Sequence, residues 1–242
     1  NCGGMFSPFL KRCGIDGLFI KGKSNKPVYL LLEGEKAEVR DAADLWGKDA
    51  IETEDLLKER HGKACQVACI GTAGERLSLM AGVCNDGGRI AARCGLGAVM
   101  GSKKLKAIVV RGTKPVKPID PDRFKSACAD YQKNIENHRQ FHSRRKYGTT
   151  RIMDALAKMG VRPAFHYRSA GFEDLEKVGA EAWRRDHVVK AKACYNCNVY
   201  CSRYNVTQYS EGEGPEYEAQ AGFTVKCGNS DMEVGVAASN AV

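Results

Sequence analysis

Three thiols within eight residues, Cys194-Tyr195-Asn196-Cys197-Asn198-Val199-Tyr200-Cys201, constrain this chain more than any other stretch. Cysteines that close cannot easily bridge one another, but they can share one metal centre. The segment therefore reads as a ligand set for an iron-sulfur cluster or for zinc. Zinc sites usually bring paired cysteine doublets or histidines, and His187, the nearest histidine, suits neither pattern. The cluster is the first reading and zinc the second. Either centre usually takes four protein ligands, and the only thiol that follows is the isolated Cys227.

The sequence opens on Asn1 inside a glycine-rich phrase and stops at Ala241-Val242 within a helical pattern. It is read as a fragment of a longer polypeptide, with the fourth ligand expected beyond residue 242. At 242 residues, 43% hydrophobic and 28% charged, the chain can bury a real core in one large or two medium domains. No apolar run approaches the ~20 residues of a membrane span, and no signal peptide is visible. Eleven mostly scattered cysteines do not resemble a secreted disulfide framework, which points to a reducing cytoplasm.

The net charge of +9 comes from lysines and arginines spread along the chain, denser at Lys103-Lys104-Lys106 and Arg144-Arg145-Lys146. No basic platform interleaved with aromatics is present, so a nucleic-acid partner is not expected. The patches read as a solvated face, or as a surface that steers an acidic electron carrier or holds anionic cofactor groups.

Up to about residue 112 the pattern is of short apolar strands punctuated by glycine. Residues 18–22 and 28–32 read as strands, with 33–35 turning the second into 37–40 as a hairpin. Residues 52–60 have helical periodicity with Leu56 and Leu57 inward, 66–71 read as a buried strand, and 107–112 as another. Cys65 and Cys69 then share a face, as buried apolar thiols or as a metal pair. Three prolines between Lys114 and Pro121 mark a linker, after which helices are expected over 124–137, 150–159, 175–183 and 231–242, with Asp231 as an N-cap. The fold class is α+β, a strand-rich domain over 1–117 followed by a mainly helical one over 118–242 that carries the cysteines.

A second dense phrase, residues 87–103, combines clustered glycines with Arg89 and Arg93. Glycine lets main chain approach phosphate oxygens closely and guanidinium groups bind them, so the phrase is either a phosphate cradle or a structural turn. Ser102 between Gly101 and Lys103 spoils a P-loop, and Met100 stands where a dinucleotide fingerprint wants its third glycine. The acidic phrase 211–218 reads as an open loop, with Glu211 and Glu213 solvated and Glu216 and Glu218 the better candidates for burial. A buried carboxylate there could move protons.

These phrases occur together in one order. Cys194-x-x-Cys197-x-x-x-Cys201, the stretch from Asn85-Asp86 to Ala107-Ile108, Glu213-Gly214-Pro215-Glu216-Tyr217-Glu218, Tyr147-Gly148-Thr149 and Asn1-x-Gly3-Gly4 resemble the aldehyde ferredoxin oxidoreductase family of tungsten-pterin enzymes. The resemblance covers nearly the whole chain. It implies tungsten, less often molybdenum, held by the dithiolenes of two pterins, with magnesium bridging the pterin phosphates and a [4Fe-4S] cluster nearby.

By motif match, Asn1, Gly3, Arg89, Ile90, Ala92 and Arg93 fall on pterin or magnesium contacts, Ile90 through its backbone carbonyl. Cys194, Cys197 and Cys201 fall on cluster ligands. Glu218 falls on a pocket glutamate that assists proton transfer or activates water. Ala92 and Cys94 depart from the pattern, standing where relatives often have glycine. The resemblance further implies oxidation of aldehydes to carboxylic acids with electrons passed to a ferredoxin or similar carrier, in a homo-oligomer or a subunit of a complex. Lys192, beside the triplet, would tune the cluster potential or be an ordinary surface lysine. Two rivals stand beside this reading, the tungsten subunit of a complex that reduces an aromatic acyl-thioester ring and a zinc-stabilised interaction module.

Overall fold

Strand runs without polar interruption are buried on both faces, and this pattern organises the first part of the chain. The computed structural model describes residues 2–241, so Asn1 lies outside the described residues. The chain divides into one unit that ends at Ile119 and a second that starts at Asp120.

In the first unit the elements run α1 (Phe6–Arg12), β1 (Val28–Glu33), β2 (Lys36–Asp41), α2 (Ala50–His61), β3 (Gln66–Cys69), α3 (Thr72–Glu75), β4 (Val83–Asn85), β5 (Arg89–Ala91), α4 (Leu96–Ser102) and β6 (Leu105–Arg111). The strands form one mixed sheet in the order β2-β1-β6-β3-β4-β5. Among the described residues of this sheet only β1 and β6 pair in parallel. Strand alternation sends Tyr29, Leu31, Val67, Cys69, Ala107 and Val109 into a core with Leu57 of α2, while Leu32 and Val110 pack with Cys13 and the apolar side chains of α1. Cys65 and Cys69 are buried in the first of these cores, and burial raises both thiols above the ordinary range.

Three features differ from the sequence reading. Residues 18–22 form no strand, and Phe19 is almost fully exposed. Helix α1 replaces an expected strand-rich opening. The phrase 87–103 also holds a helix, α4, whose glycines serve packing: a Cβ on Gly101 would lie 1.9 Å from the Gly74 carbonyl oxygen, and one on Gly97 would lie 2.4 Å from that of Gly82. Most of the phrase's glycine is thus spent on bringing α4 against the 74–82 backbone, which leaves 89–94 as the part open to a ligand.

The basic patch at 103–106 is likewise not a free surface. Lys103 and Lys104 donate from Nζ to the Gly22 and Asn25 carbonyls, at 3.0 and 2.6 Å, and pin the preceding loop. Lys106 is fully buried, pairs with the Glu75 carboxylate and donates to the Lys48 carbonyl at 2.7 Å. Glu75 also accepts from the Gly47 amide at 3.0 and 2.9 Å.

The second unit contains α5 (Pro121–Glu136), α6 (Phe141–Tyr147), α7 (Arg151–Lys158), α8 (Leu175–Val178), α9 (Ala180–Asp186), β7 (Val188–Lys192), β8 (Ser202–Val206), β9 (Glu211–Glu213), α10 (Tyr217–Phe223) and α11 (Met232–Ala241). The expected helix at 175–183 is broken in two at Gly179, whose Cα side faces Asp154 and the Leu175 carbonyl too closely for a Cβ. Asp231 accepts from the Val234 amide at 3.2 Å and caps α11. Met153, Trp183, Ala221, Val225, Met232 and Val236 form the core. The unit is mainly helical, with one antiparallel sheet β7-β8-β9 that the sequence did not announce. Among the described residues no helix is long and apolar enough to cross a membrane.

Removing one partner of a buried ion pair strands the other in a medium that solvates it poorly. Lys106→Ala is expected to lower the unfolding free energy of the full-length protein by about 3–5 kcal/mol. Lys106→Met combined with Glu75→Gln should recover most of that loss, as read from the denaturant midpoint.

Candidate cofactor and cluster sites

The cysteine segment is the connection between β7 and β8, so a hairpin brings both of its ends together. Cys197 N–H donates to the Cys194 carbonyl at 3.1 Å, forming a tight turn. Asn196 and Tyr200 have φ of 50° and 52°, the left-handed region that a tyrosine rarely enters. All three thiols are half-buried.

Arg203 holds this loop from beneath. Its guanidinium is 2% exposed and donates to three carbonyls, those of Tyr200, Ser202 and Arg145. Burial lowers its pKa, and the neighbouring Cys201 and Glu216 push it back up. Arg145, read from sequence as part of a surface patch, instead lies over the Tyr200 ring at 5.2 Å and donates to the Asn198 carbonyl at 3.0 Å. Asn198 in turn donates to Glu136 of α5 at 3.0 Å.

The phrase Tyr147-Gly148-Thr149 belongs to the same neighbourhood. Gly148 has φ of 67°, and a Cβ there would lie 2.4 Å from the Cys201 carbonyl oxygen. Thr149 accepts from the Tyr217 amide at 3.0 Å, donates to Glu216, and so fixes the start of α10. Three sequence phrases far apart in the chain thus meet around one loop.

In the acidic phrase Glu211 is exposed as expected, whereas the burial of Glu213 and the exposure of Glu216 and Glu218 are the reverse of the expectation. Residues 211–213 form β9, and the Glu213 side chain is 7% exposed and paired with Lys192 at 2.7 Å. Lys192 is therefore neither a free surface lysine nor a charge directed only at the thiols. The Glu218 side chain is 78% exposed in the first turn of α10 and lies 3.5 Å from Lys226. The sheet partner β8 draws 213 inward, whereas 218 falls on the outer side of its helix.

Among the described residues no three His, Cys, Asp or Glu side chains converge as a single ion requires. Tetrahedral zinc needs that convergence, but in a [4Fe-4S] cube each thiolate binds its own iron, so the sulfurs stand apart. A half-buried thiol triplet on a tightly held loop is a donor set that suits a cluster.

In the first unit, β5 is the outer strand of the sheet and carries Arg89 and Ile90 into the turn at 92–94. Ile90, Ala92 and Arg93 are exposed, and Arg89 is half-buried. The Ile90 side chain packs close to Gly82, which leaves its main chain as the polar group on offer. Cys94 sits at φ 71°, a backbone conformation that favours glycine, as the expected departure at this position implies.

The N-terminal phrase meets this hairpin. Gly4 is buried at φ 97°, and a Cβ on it would lie 2.6 Å from Asn85 Oδ1. Asn85 Nδ2 donates to Cys2 Sγ at 2.8 Å, while its buried Oδ1 has no hydrogen-bond partner among the described residues. An unmatched acceptor in register with half-buried Arg89, next to the exposed turn backbone, fits an anionic group accompanied by a cation. Gly3 is exposed there, Asn1 precedes the described residues, and Glu54 supports the turn by accepting from the Gly87 amide at 3.0 Å.

Both parts of the chain match domains of one class of oxidoreductase. Residues 1–112 match the aldehyde ferredoxin oxidoreductase N-terminal domain and residues 126–242 match domains 2 and 3. The chain belongs to the aldehyde ferredoxin oxidoreductase family. It is 39% identical over 235 residues to the tungsten-containing aldehyde ferredoxin oxidoreductase of Pyrococcus abyssi, covering 96% of this chain and 39% of that protein. It is 29% identical over 232 residues to the WOR-like subunit of an aliphatic sulfonate oxidoreductase from Pyrococcus furiosus, covering 88% and 37%. A similar solved structure is the active-site complex BamBC of benzoyl coenzyme A reductase with 1,5-dienoyl-CoA, at TM-score 0.81 and 26% identity over 99% of this chain and 38% of that one. The chain thus spans about two fifths of the length of these relatives.

A methyl group at 148 has no room beside the Cys201 carbonyl and is strained at positive φ. In the full-length protein Gly148→Ala should cost about 1–3 kcal/mol locally and lower iron and acid-labile sulfide per chain, measured by colorimetric assay against wild type.

Proposed function

We propose that this chain forms part of a tungsten-pterin oxidoreductase that converts aldehydes to carboxylic acids in the cytoplasm. Its electrons would go to a ferredoxin or a similar carrier. The observation that carries the reading is the arrangement of Cys194, Cys197 and Cys201 on a loop fixed by Arg203 and Gly148, in a chain of this family. When bound, the tungsten bis-pterin supplies two-electron chemistry and the [4Fe-4S] cluster supplies one-electron transfer.

The chain's own residues bind and orient. Arg89 and Arg93 hold pterin phosphate oxygens by charge-assisted hydrogen bonds. The Ile90 carbonyl and Asn1 would hold the magnesium, while Gly3 and Ala92 would let main chain approach the pterins. The three thiolates each take one iron. Glu218, at the outer side of α10, accepts or returns a proton at its carboxylate oxygens when substrate is present. An exposed carboxylate can serve there only if other parts of the full-length polypeptide close around it. The functional protein is a homo-oligomer or a subunit of a complex.

A second reading is supported by the likeness to the benzoyl coenzyme A reductase complex, in which case the full-length protein would reduce an aromatic acyl-thioester and need partner subunits. Anaerobic purification of the full-length protein, followed by metal analysis and an aldehyde-dependent viologen-reduction assay, separates the possibilities. Iron, sulfide and tungsten with aldehyde activity support the first reading. Thioester reduction without aldehyde activity supports the second, and zinc alone rejects both.

Two variants test individual roles. Arg93→Ala should reduce tungsten per chain with iron retained, by plasma mass spectrometry. Glu218→Gln should keep both metals and lower kcat by about 10²-fold or more, the range of a lost proton-transfer group.

A further inference from the structure

In the antiparallel pairing of β3 with β4, Cys69 stands directly opposite Cys84. Opposed residues in such a pair have Cα atoms about 4.5–5.5 Å apart and side chains on the same face. A disulfide needs Cα atoms about 4.4–6.8 Å apart. The register therefore sets the two residues at a Cα separation that a disulfide can span. Cys84 is half-buried and Cys69 fully buried, its Sγ–H donating to the Ala50 carbonyl at 3.2 Å. Neither thiol belongs to the cluster triplet.

We propose that Cys69 and Cys84 form a reversible two-electron oxidation site, closed to a cross-strand disulfide by a peroxide. Cys84, the more accessible thiol, attacks one peroxide oxygen; the O–O bond breaks, water leaves and the sulfur becomes a sulfenic acid. Cys69 sulfur then attacks Cys84 sulfur, the S–O bond breaks and a second water leaves. Two thiols and one hydrogen peroxide thus give one disulfide and two waters, and a dithiol returns the two electrons by exchange.

The bond would tie β4 to the core strand β3. Because Cys84 also pairs in register with Ile90 of β5, oxidation would stiffen the base of the hairpin that presents Arg89, Ile90 and the 92–94 turn. Cys2 is the competing thiol. Its sulfur accepts from Asn85 Nδ2 at 2.8 Å and lies near enough to Cys84 to add to the rise that burial imposes on that thiol, so the two linkages are compared directly in the test.

The test uses full-length holoenzyme prepared anaerobically, treated with stoichiometric hydrogen peroxide, alkylated after denaturation and mapped by peptide mass spectrometry. The expected product joins the peptides containing residues 69 and 84, two hydrogens lighter than their sum, and separates on treatment with dithiothreitol. Recovery of both cysteines as alkylated thiols, their conversion to sulfinic acids, or linkage of Cys84 to Cys2 would overturn the proposal. In a Cys69→Ser variant the linked peptide should vanish and Cys84 should be captured by dimedone as a sulfenic acid, the one-peroxide product that has lost its resolving thiol. If that variant does not fold, the wild-type map decides alone. Peptides carrying Cys194, Cys197 and Cys201 are read separately, so damage to the cluster does not enter the result.

Discussion

The buried guanidinium of Arg203 is the interaction on which the cysteine loop depends. A hairpin connection carrying two left-handed non-glycine residues has little regular hydrogen bonding of its own. Arg203 supplies it, donating to carbonyls on both sides of Cys201 and to the end of α6. A charge in that position would be costly in isolation, but three carbonyl acceptors and the nearby thiol offset the loss of water. Gly148 completes the arrangement by letting the main chain after α6 lie directly against Cys201.

The first unit solves a related problem with a sheet. Its central strands are covered on both faces, so the outer hairpin β4–β5 is held at one side by an ordered core while its turn stays open. Glu54 braces that turn from α2, and the buried Lys106–Glu75 pair fixes α3 and the 47–48 loop to β6. Rigid supports of this kind leave exposed backbone and guanidinium groups with little freedom to lose on meeting a ligand.

Some of this could be read directly. The α2 stripe, the β1–β2 hairpin, strands β3 and β6 and the Asp231 cap all carry local signals, periodicity or turn residues that act within a few positions. The mistakes share a physical cause. Residues 18–22 have strand composition but no ladder partner, α1 lacks a capping side chain, and the glycines at 97 and 101 answer to a backbone distant in sequence. The burial of Glu213 follows from a sheet, β7-β8-β9, that no local pattern required, and the exposure of Glu218 from the face of α10 on which it falls.

The cysteine triplet and the family to which the chain belongs were legible in the order of residues alone, because residue type and spacing are local properties. Tertiary structure decided that Arg145, Gly148 and Arg203 converge on that loop, that Lys106 is buried, and that Cys69 is paired in register with Cys84. Those outcomes rest on pairings between segments tens of residues apart. Such pairings are set by the whole core's competition for burial and hydrogen bonds, which no short window of sequence contains.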